Sequence, residues 1–232
     1  MGGRGSGSGI QFSIPNGSND DNFQKNALME RPPKDLKEAI GKKGAEKSMA
    51  DAMKNANPYY SRDYSEYSEN CQRCVVAYEL RRRGYDVEAQ PTYAGDKWPQ
   101  SLNINGRLMG RWRGAFRHAK TDSVGVPGNN ARAEARVLDN LAAKMREYGN
   151  GARAIVRIGY RGHNFGHVFN VENRGGQVSY VDAQTGQRYL QGDMRNLMKI
   201  VDTNGVTLTR TDNLRISPRA KEFVWHKDRN KR

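Results

Sequence analysis

The sequence has few cysteines and no long hydrophobic run. Two cysteines in 232 residues, Cys71 and Cys74, cannot form a disulfide framework, and a lone pair offers too few ligands for structural zinc. No stretch approaches the ~18 consecutive apolar residues of a membrane span. The N-terminus also lacks the apolar segment of a secretory signal peptide. We therefore expect no cofactor, no Sec signal and no membrane insertion, and a protein that acts in a reducing cytoplasm.

Apolar residues are also scarce, at 36% of the chain with a mean hydropathy of −0.92. Globular domains usually contain about 45–50% apolar residues, so part of this chain should stay outside the core. Residues 1–20 are rich in Gly, Ser and Asn, which is typical of a flexible linker, and residues 33–57 suggest a polar helix. We predict a flexible tail with a polar helix over 1–59, one catalytic domain over 60–227 and a basic tail over 228–232.

Acidic residues are outnumbered, with 25 Asp and Glu against 39 Lys and Arg, a net charge of +14. Such a charge accompanies nucleic acid, anionic surfaces or acidic protein partners. Most bases are scattered, apart from Arg81–Arg83 and the C-terminal end, which favours a solvated surface. Arg111, Trp112 and Arg113 interleave charge with an aromatic ring, as nucleic-acid contacts do. Nucleic-acid binding is therefore kept as a less favoured alternative.

One helix should begin after Asn70, a good N-cap, and end before Gly84. The residues that share its inward face, at helical spacing, are Cys71, Cys74, Val75 and Tyr78. A second, strongly amphipathic helix is predicted over residues 131–148. Alternating segments predict strands near 85–89, 152–160, 167–171, 178–182 and 205–210. The pattern indicates an α+β fold.

The strands at 167–171 and 178–182 form a predicted hairpin. A turn centred on Arg174 and Gly175 pairs Val171 with Val178, Phe169 with Tyr180, and His167 with Asp182. Side chains two apart on a strand share a face, and opposite Cβ atoms lie ~4.5–5.5 Å apart. His167 and Asp182 should therefore form a hydrogen bond on one face of the sheet.

These residues suggest nucleophilic chemistry at a thiol. A carboxylate fixes the tautomer of an imidazole and favours its protonated form. A thiol at a helix N-terminus beside an imidazolium has a lower pKa than a free cysteine and attacks carbonyl groups at neutral pH. Cys71, His167 and Asp182 are thus the predicted catalytic residues. Cys71 is favoured as nucleophile because it follows the N-cap directly, and Cys74 is the alternative.

Four segments together resemble the papain-fold toxin, glutamine deamidase family. They are NCQRCVVA at 70–77, RRGYDVEA at 82–89, GHVFNVEN at 166–173 and VDAQTG at 181–186. The resemblance extends over roughly residues 60–211. It implies a papain-like fold in which the cysteine helix packs on an antiparallel sheet. It also implies a toxin or effector that converts glutamine of a protein substrate to glutamate, with an immunity protein as a further partner.

The sequence departs from papain-like peptidases, which carry a glutamine several residues before the nucleophile and a tryptophan directly after it. Ser65 or Ser68 and Gln72 or Val75 stand here instead. The donors to the oxyanion are consequently unassigned, with Gln184 and the helix-start amides as candidates. The order Cys74-Val75-Val76-Ala77 does resemble the sequence after the papain nucleophile, which supports Cys74.

Two alternative functions follow from the sequence. A cysteine peptidase or transglutaminase would use the same triad. The start MGGRGSGSG resembles the tails of phage head-morphogenesis proteins. That resemblance suggests a basic structural or nucleic-acid-binding protein associated with phage, or delivery of the enzyme by a phage or a secretion system.

Overall fold

The computed structural model describes residues 33–60, 65–92 and 111–228. The Gly- and Ser-rich start and the end of the predicted basic tail lie outside these residues. Residues 93–110 also lie outside them. Within the described ranges, no helix is both long enough and apolar enough to cross a membrane.

Most helices in the described residues are short, and the two longer ones are the fourth and fifth along the chain. The helices are α1 (Leu36–Ile40), α2 (Met49–Asn55), α3 (Ser65–Ser68), α4 (Cys71–Arg82), α5 (Ala131–Glu147) and α6 (Gln191–Met198). The described residues also contain short 3₁₀ helices at Arg111–Ala115, Thr203–Gly205 and Pro218–Glu222. The predicted helices after Asn70 and over 131–148 are both present.

The strands form two antiparallel sheets. They are β1 (Val87–Ala89), β2 (Asp122–Ser123), β3 (Arg153–Gly159), β4 (Gly166–Arg174), β5 (Gln177–Asp182), β6 (Gln187–Tyr189), β7 (Thr207–Arg210) and β8 (Val224–His226). The larger sheet has the order β2-β7-β3-β4-β5-β6, and β1 pairs with β8. The fold is the expected α+β, papain-like arrangement.

The large sheet is buried on both faces. On β3, Ala154, Val156 and Ile158 join the apolar cluster around α5 and α6, while Ile155 points the other way, to the cluster around α4. The alternation follows from the two-residue repeat of a strand. Helix α4 therefore packs on one face of the sheet and α5 on the other.

The hairpin between β4 and β5 has a different register from the predicted one. Val171 pairs with Tyr180 and Arg174 with Gln177, so the turn consists of Gly175 and Gly176, both with positive φ. Two residues with positive φ fit the tight turns that match strand twist, and glycine adopts this conformation without strain. The predicted pairs were wrong by two residues, but a shift of two leaves every side chain on its predicted face.

The segment before residue 60, predicted as a tail with a polar helix, contributes to the core over its described part. Asp35 caps α1 and Ser48 caps α2. The buried residues from these helices are Ala39, Ile40, Met49, Ala52 and Ala56. The Asn57 side chain donates to the carbonyl oxygens of Tyr67 (2.8 Å) and Gln184 (3.0 Å). The folded unit thus begins well before residue 60.

The basic run Arg81–Arg83 is paired inside the protein rather than solvated. Arg81 lies 2.7 Å from Asp51 and 2.8 Å from Asp86. Arg82 pairs with the buried Glu172, and Arg83 with the buried Glu79. A carboxylate without such a partner would be costly to bury, so Arg82 and Arg83 balance buried acids, whereas the partners of Arg81 are partly exposed. These ion pairs connect α4 to neighbouring segments and engage the side chains of all three arginines.

Candidate active site

Helix α4 runs alongside β4, with contacts in the order of both sequences. The Asn170 side chain donates to the Val75 carbonyl (3.2 Å), and the Tyr78 hydroxyl donates to Glu172 (2.6 Å). Between these two contacts the helix advances by about 4.5 Å and the strand by about 6.6 Å in the same direction. Extending this order one turn back brings Cys71, the first residue of α4, level with the start of β4.

His167, at that start of β4, contacts both of the other predicted triad residues. Its Nε2 lies 3.1 Å from Oδ2 of Asp182. The Cys71 side chain hydrogen-bonds with the imidazole as well. Since Nε2 is engaged by the carboxylate, Nδ1 is the ring nitrogen left for the thiol. Cys71 and His167 are both 8% exposed and Asp182 is 5% exposed, so all three residues are buried but close to the surface.

Burial and charge act in opposite directions on this pair. Burial alone would lower the pKa of His167, but the Asp182 charge and the hydrogen bonds with Asp182 and Cys71 outweigh it, so the pKa lies well above its ordinary value. Burial would raise the pKa of Asp182, yet the His167 charge and hydrogen bond lower it overall. The backbone N–H of Gln184 also donates to Asp182 Oδ1 at 3.0 Å. The arrangement favours an imidazolium beside a carboxylate.

The second thiol has different surroundings. Cys74 is 0% exposed, and its Sγ–H donates to Oδ1 of Asn70 at 3.1 Å. Burial is the largest cause that raises the pKa of Cys74, and the nearby Cys71 and Asp182 add to it. Such a thiol stays protonated and unreactive. Of the two cysteines, only Cys71 hydrogen-bonds with His167 in the described residues.

Asn70 precedes α4 as predicted, but its side chain does not cap the helix. Besides accepting from Cys74, it donates to the Asn57 side chain (3.1 Å) and the Gln90 carbonyl (3.1 Å). The first turn of α4 therefore has no side-chain cap competing for its amides. Backbone amides in this position suit a developing negative charge.

Gln184 lies two residues after Asp182 and is 7% exposed. Its backbone is held at both ends, by the contact to Asp182 and by Asn57. Its side-chain Nε2 is buried and has no hydrogen-bond acceptor among the described residues. Buried amide groups normally have partners. This donor is therefore suited to an acceptor that the substrate brings.

Tyr160 is a neighbour of the site that sequence reasoning missed. Ile158 pairs with His167, and Tyr160 lies two residues further along the chain, on the same side of the sheet. Burial raises the pKa of Tyr160; the His167 charge opposes this effect, and Cys71 and Asp182 add to it. The ring is thus close to the whole group. The alternation that predicted the strand could have indicated that Tyr160 lies on the same face of the sheet as Ile158.

His163 makes no hydrogen bond with the three predicted catalytic residues in the part of the chain that the structure describes. It is exposed in the loop before β4, with its ring 4.8 Å from that of Phe165. Trp112, which suggested base stacking, is 1% exposed and belongs to the core around α4. A ring buried in this way presents no face to a nucleic-acid base.

Comparison with known proteins identifies the family of the chain. The sequence profile of the family described as papain fold toxin 1, glutamine deamidase matches residues 69–187, just over half of the chain. The chain belongs to this family. No curated protein matches it. The matched range begins two residues before Cys71 and ends after β5, so this glutamine deamidase family member carries Cys71, His167 and Asp182 within the family's own segment.

The matched range can be compared with the position of the site. The helix and the hairpin that carry the candidate residues both lie within the matched range. Here α4 supplies the thiol and the β4–β5 hairpin supplies the imidazole and the carboxylate. The family also indicates a protein as substrate.

Proposed function

We propose that this protein hydrolyses the side-chain carboxamide of glutamine in a target protein, with Cys71 as nucleophile, His167 as acid and base, and Asp182 as the residue that orients His167. The observation that carries the proposal is the contact of one imidazole with both partners: Nε2 with the Asp182 carboxylate at 3.1 Å, and a hydrogen bond with the Cys71 thiol.

The first half of the reaction forms a thioester. The Cys71 thiol gives its proton to His167, and the resulting thiolate attacks the carbonyl carbon of the glutamine side chain, whose oxygen becomes an oxyanion. His167 donates its proton to the amide nitrogen as the carbon–nitrogen bond breaks, and ammonia leaves. The raised pKa of His167 keeps that proton available at neutral pH.

The second half releases the product. Neutral His167 takes a proton from water, whose oxygen attacks the thioester carbon. The carbon–sulfur bond breaks, Cys71 is regenerated and the side chain leaves as glutamate. Asp182 keeps its hydrogen bond to Nε2 throughout, so that Nδ1 remains directed at the reacting atoms.

Gln184 is the proposed side-chain donor to the oxyanion, together with the backbone amides at the start of α4. The buried Nε2 of Gln184 lacks an acceptor among the described residues, and α4 has no side-chain cap. This donor would replace the upstream glutamine of papain-like peptidases. Its place after Asp182 ties it to the same strand end as the triad.

A peptidase or a transglutaminase would form the same thioester, and the products separate these activities from deamidation. Two observations argue against nucleic-acid binding: Arg81, Arg82 and Arg83 are each paired with a carboxylate of the protein, and Trp112 is in the core. We also propose that residues 33–228 act as one catalytic unit, because α1 and α2 share its core. Delivery by a phage or a secretion system is proposed from the start MGGRGSGSG, and an immunity protein is proposed from the family resemblance.

The test is incubation of the protein with candidate target proteins, followed by measurement of ammonia and of intact mass. Deamidation releases ammonia and raises the target's mass by about one dalton, because NH₂ is replaced by OH. The proposal would be overturned if the target were cleaved at a peptide bond, or if an amine were incorporated, and no glutamine were hydrolysed to glutamate. His167→Ala serves as the inactive control, and His163→Ala, in the exposed loop, should retain activity.

A further inference from the structure

Asn57 is a buried asparagine whose side chain makes hydrogen bonds to three different segments. Its Nδ2 donates to the carbonyl oxygens of Tyr67 at 2.8 Å and Gln184 at 3.0 Å. Its Oδ1 accepts from the Asn70 side chain at 3.1 Å. Asn57 is 6% exposed and Asn70 is 2% exposed. Both N–H groups and the oxygen of this amide are therefore used inside the protein, where hydrogen bonds fix geometry most strongly.

The partners of Asn57 are neighbours of the proposed catalytic residues. Asn70 directly precedes Cys71, and Gln184 lies two residues after Asp182. The Gln184 N–H donates to Asp182 Oδ1 at 3.0 Å, so Asp182 holds the amide of Gln184 and Asn57 holds its carbonyl. The thiol is on α4 and the carboxylate is at the end of β5. Asn57 thus connects the two elements that must meet for the reaction.

The backbone that carries this side chain is itself fixed. The Ala56 carbonyl accepts from the Ala89 N–H of β1 at 2.7 Å, and the Asn57 carbonyl accepts from the Tyr60 N–H at 3.2 Å. Ala56 is fully buried. Functional groups keep their productive positions only when the residues that support them are held in turn. Asn57 meets this requirement, because hydrogen bonds hold both its backbone and its side chain.

The position of Gln184 matters because its side chain is the proposed donor to the oxyanion. Its Nε2 is buried and has no acceptor among the described residues. Such a donor stabilises the transition state only if it lies about 2.7–3.1 Å from the oxyanion. Loss of the Asn57 contact would release the Gln184 carbonyl and let the donor move. A displacement of about 1 Å can lower the rate of an enzyme by about 10²-fold.

We infer that Asn57 is a positioning residue of the active site, which fixes Gln184, and with it the oxyanion donor, relative to the start of α4. The inference rests on the proposed function for its meaning. Asn57 makes no hydrogen bond with Cys71, His167 or Asp182 within the described ranges, so it acts through its partners. It also precedes the segment that the family profile matches, and the site is therefore completed from outside that segment.

Asn173 provides a matched control. It is 2% exposed, and its Nδ2 donates to the carbonyl oxygens of Met145 at 3.0 Å and Gly149 at 2.9 Å. Its Oδ1 accepts from the Gly176 N–H at 2.9 Å. These hydrogen bonds are of the same kind as those of Asn57, but they lie at the far end of β4. Both asparagines should contribute to stability, and only Asn57 should affect the chemical step.

The first test is ammonia release from a glutamine peptide. We expect Asn57→Ala to lower kcat about tenfold or more with little change in KM, because the donor acts in the transition state. Asn173→Ala should leave kcat unchanged, although urea unfolding should show that both variants are destabilised. Equal losses of kcat in the two variants would overturn the inference.

A double variant tests whether Asn57 acts through Gln184. Residues that act through one contact have effects that do not add. Asn57→Ala combined with Gln184→Ala should therefore be about as slow as Gln184→Ala alone. Losses that multiply would overturn the inference. If Asn57→Ala does not fold, Asn57→Ser replaces it, and failure of both to fold while Asn173→Ala folds would give Asn57 a purely structural role.

Hydrogen exchange measured by NMR tests the same contact without catalysis. The Gln184 N–H, which is bonded to Asp182, should exchange about tenfold faster or more in Asn57→Ala than in Asn173→Ala, since local opening differs from global unfolding. Equal exchange in the two variants would overturn the inference. An inactive wild-type protein would refute the proposed function, and the exchange rates would then decide the inference alone. Deamidation by the wild type with equal exchange would keep the function and remove the inference.

Discussion

Cys74 donates its Sγ–H to the side chain of Asn70 at 3.1 Å, and this contact separates the two thiols of the protein. It occupies the residue that would otherwise cap α4, and it holds Cys74 in a fully buried place. Cys71, three residues earlier, is directed instead to His167. The same asparagine thus keeps one thiol inert and leaves the helix start open beside the other.

The two thiols should differ in reactivity. We expect iodoacetamide at neutral pH to label Cys71 faster than a free cysteine and Cys74 not at all in the folded protein, because the pKa of Cys74 is raised by burial. Peptide mapping after timed labelling measures both rates. His167→Ala should slow labelling of Cys71. Faster labelling of Cys74 would assign the nucleophile to the other thiol.

Asp182 should control the charge of His167. In the folded protein the pKa of His167 lies well above 6.5, so His167 stabilises the fold fully below pH 6.5 and this contribution is lost as pH rises through the folded-state pKa. In Asp182→Asn the main raising cause is gone and burial lowers the pKa. The stabilisation should then be lost as pH falls below about 6.5.

Imidazole NMR titrations and urea unfolding between pH 5 and 9 check this reversal. A His167 that titrates at the same pH in both proteins would contradict the assigned pair. His163→Asn, which changes an exposed imidazole, should leave the titration of His167 and the pH dependence of unfolding unchanged.

Gln184 should matter for the chemical step. Removal of one oxyanion donor typically costs about 10²–10³-fold in rate. We expect Gln184→Ala to lower kcat for ammonia release from a glutamine peptide by about 10²-fold, with little change in KM. The matched control is Gln177→Ala, at the exposed far end of β5, which should be neutral. A higher KM with an unchanged kcat would indicate that Gln184 contacts the substrate instead.

Glu172 should be essential for stability rather than for chemistry. It is buried and accepts from the Tyr78 hydroxyl and from Arg82. Removing one partner of a buried ion pair costs about 3–5 kcal/mol, so Glu172→Ala should lower the free energy of unfolding by that amount. Glu147→Ala breaks an exposed pair with Lys144 and should cost less than about 1 kcal/mol. Urea unfolding compares them directly, and equal losses would contradict the role of burial.

The sequence was most informative where a local repeat decides the side-chain direction. The positions of Cys71 at a helix start and of His167 and Asp182 on one face follow from helical and strand periods, and the face survived the error in hairpin register. The register itself depends on which two residues form the turn. Arg174 and Gly175 were predicted, whereas Gly175 and Gly176 form it.

Long-range pairing was harder to predict. The Arg81–Arg83 run looked like a surface feature, because its partners Asp51, Glu79 and Glu172 come from separate segments. The polar helices α1 and α2 were assigned to a tail, since each buries only a few small or flexible side chains. Such contributions appear only once the core that they complete is known.

The most direct test of the account is deamidation in H₂¹⁸O, with the target analysed by peptide mass spectrometry. Hydrolysis of a glutamyl thioester by water should place one ¹⁸O in the new side-chain carboxylate, a gain of about three daltons at one glutamine. Cys71→Ala, His167→Ala and Asp182→Asn should lose this label or lower it at least tenfold, and Cys74→Ala should keep it. Label that persists in Cys71→Ala, or that appears only at new chain ends, would contradict the account.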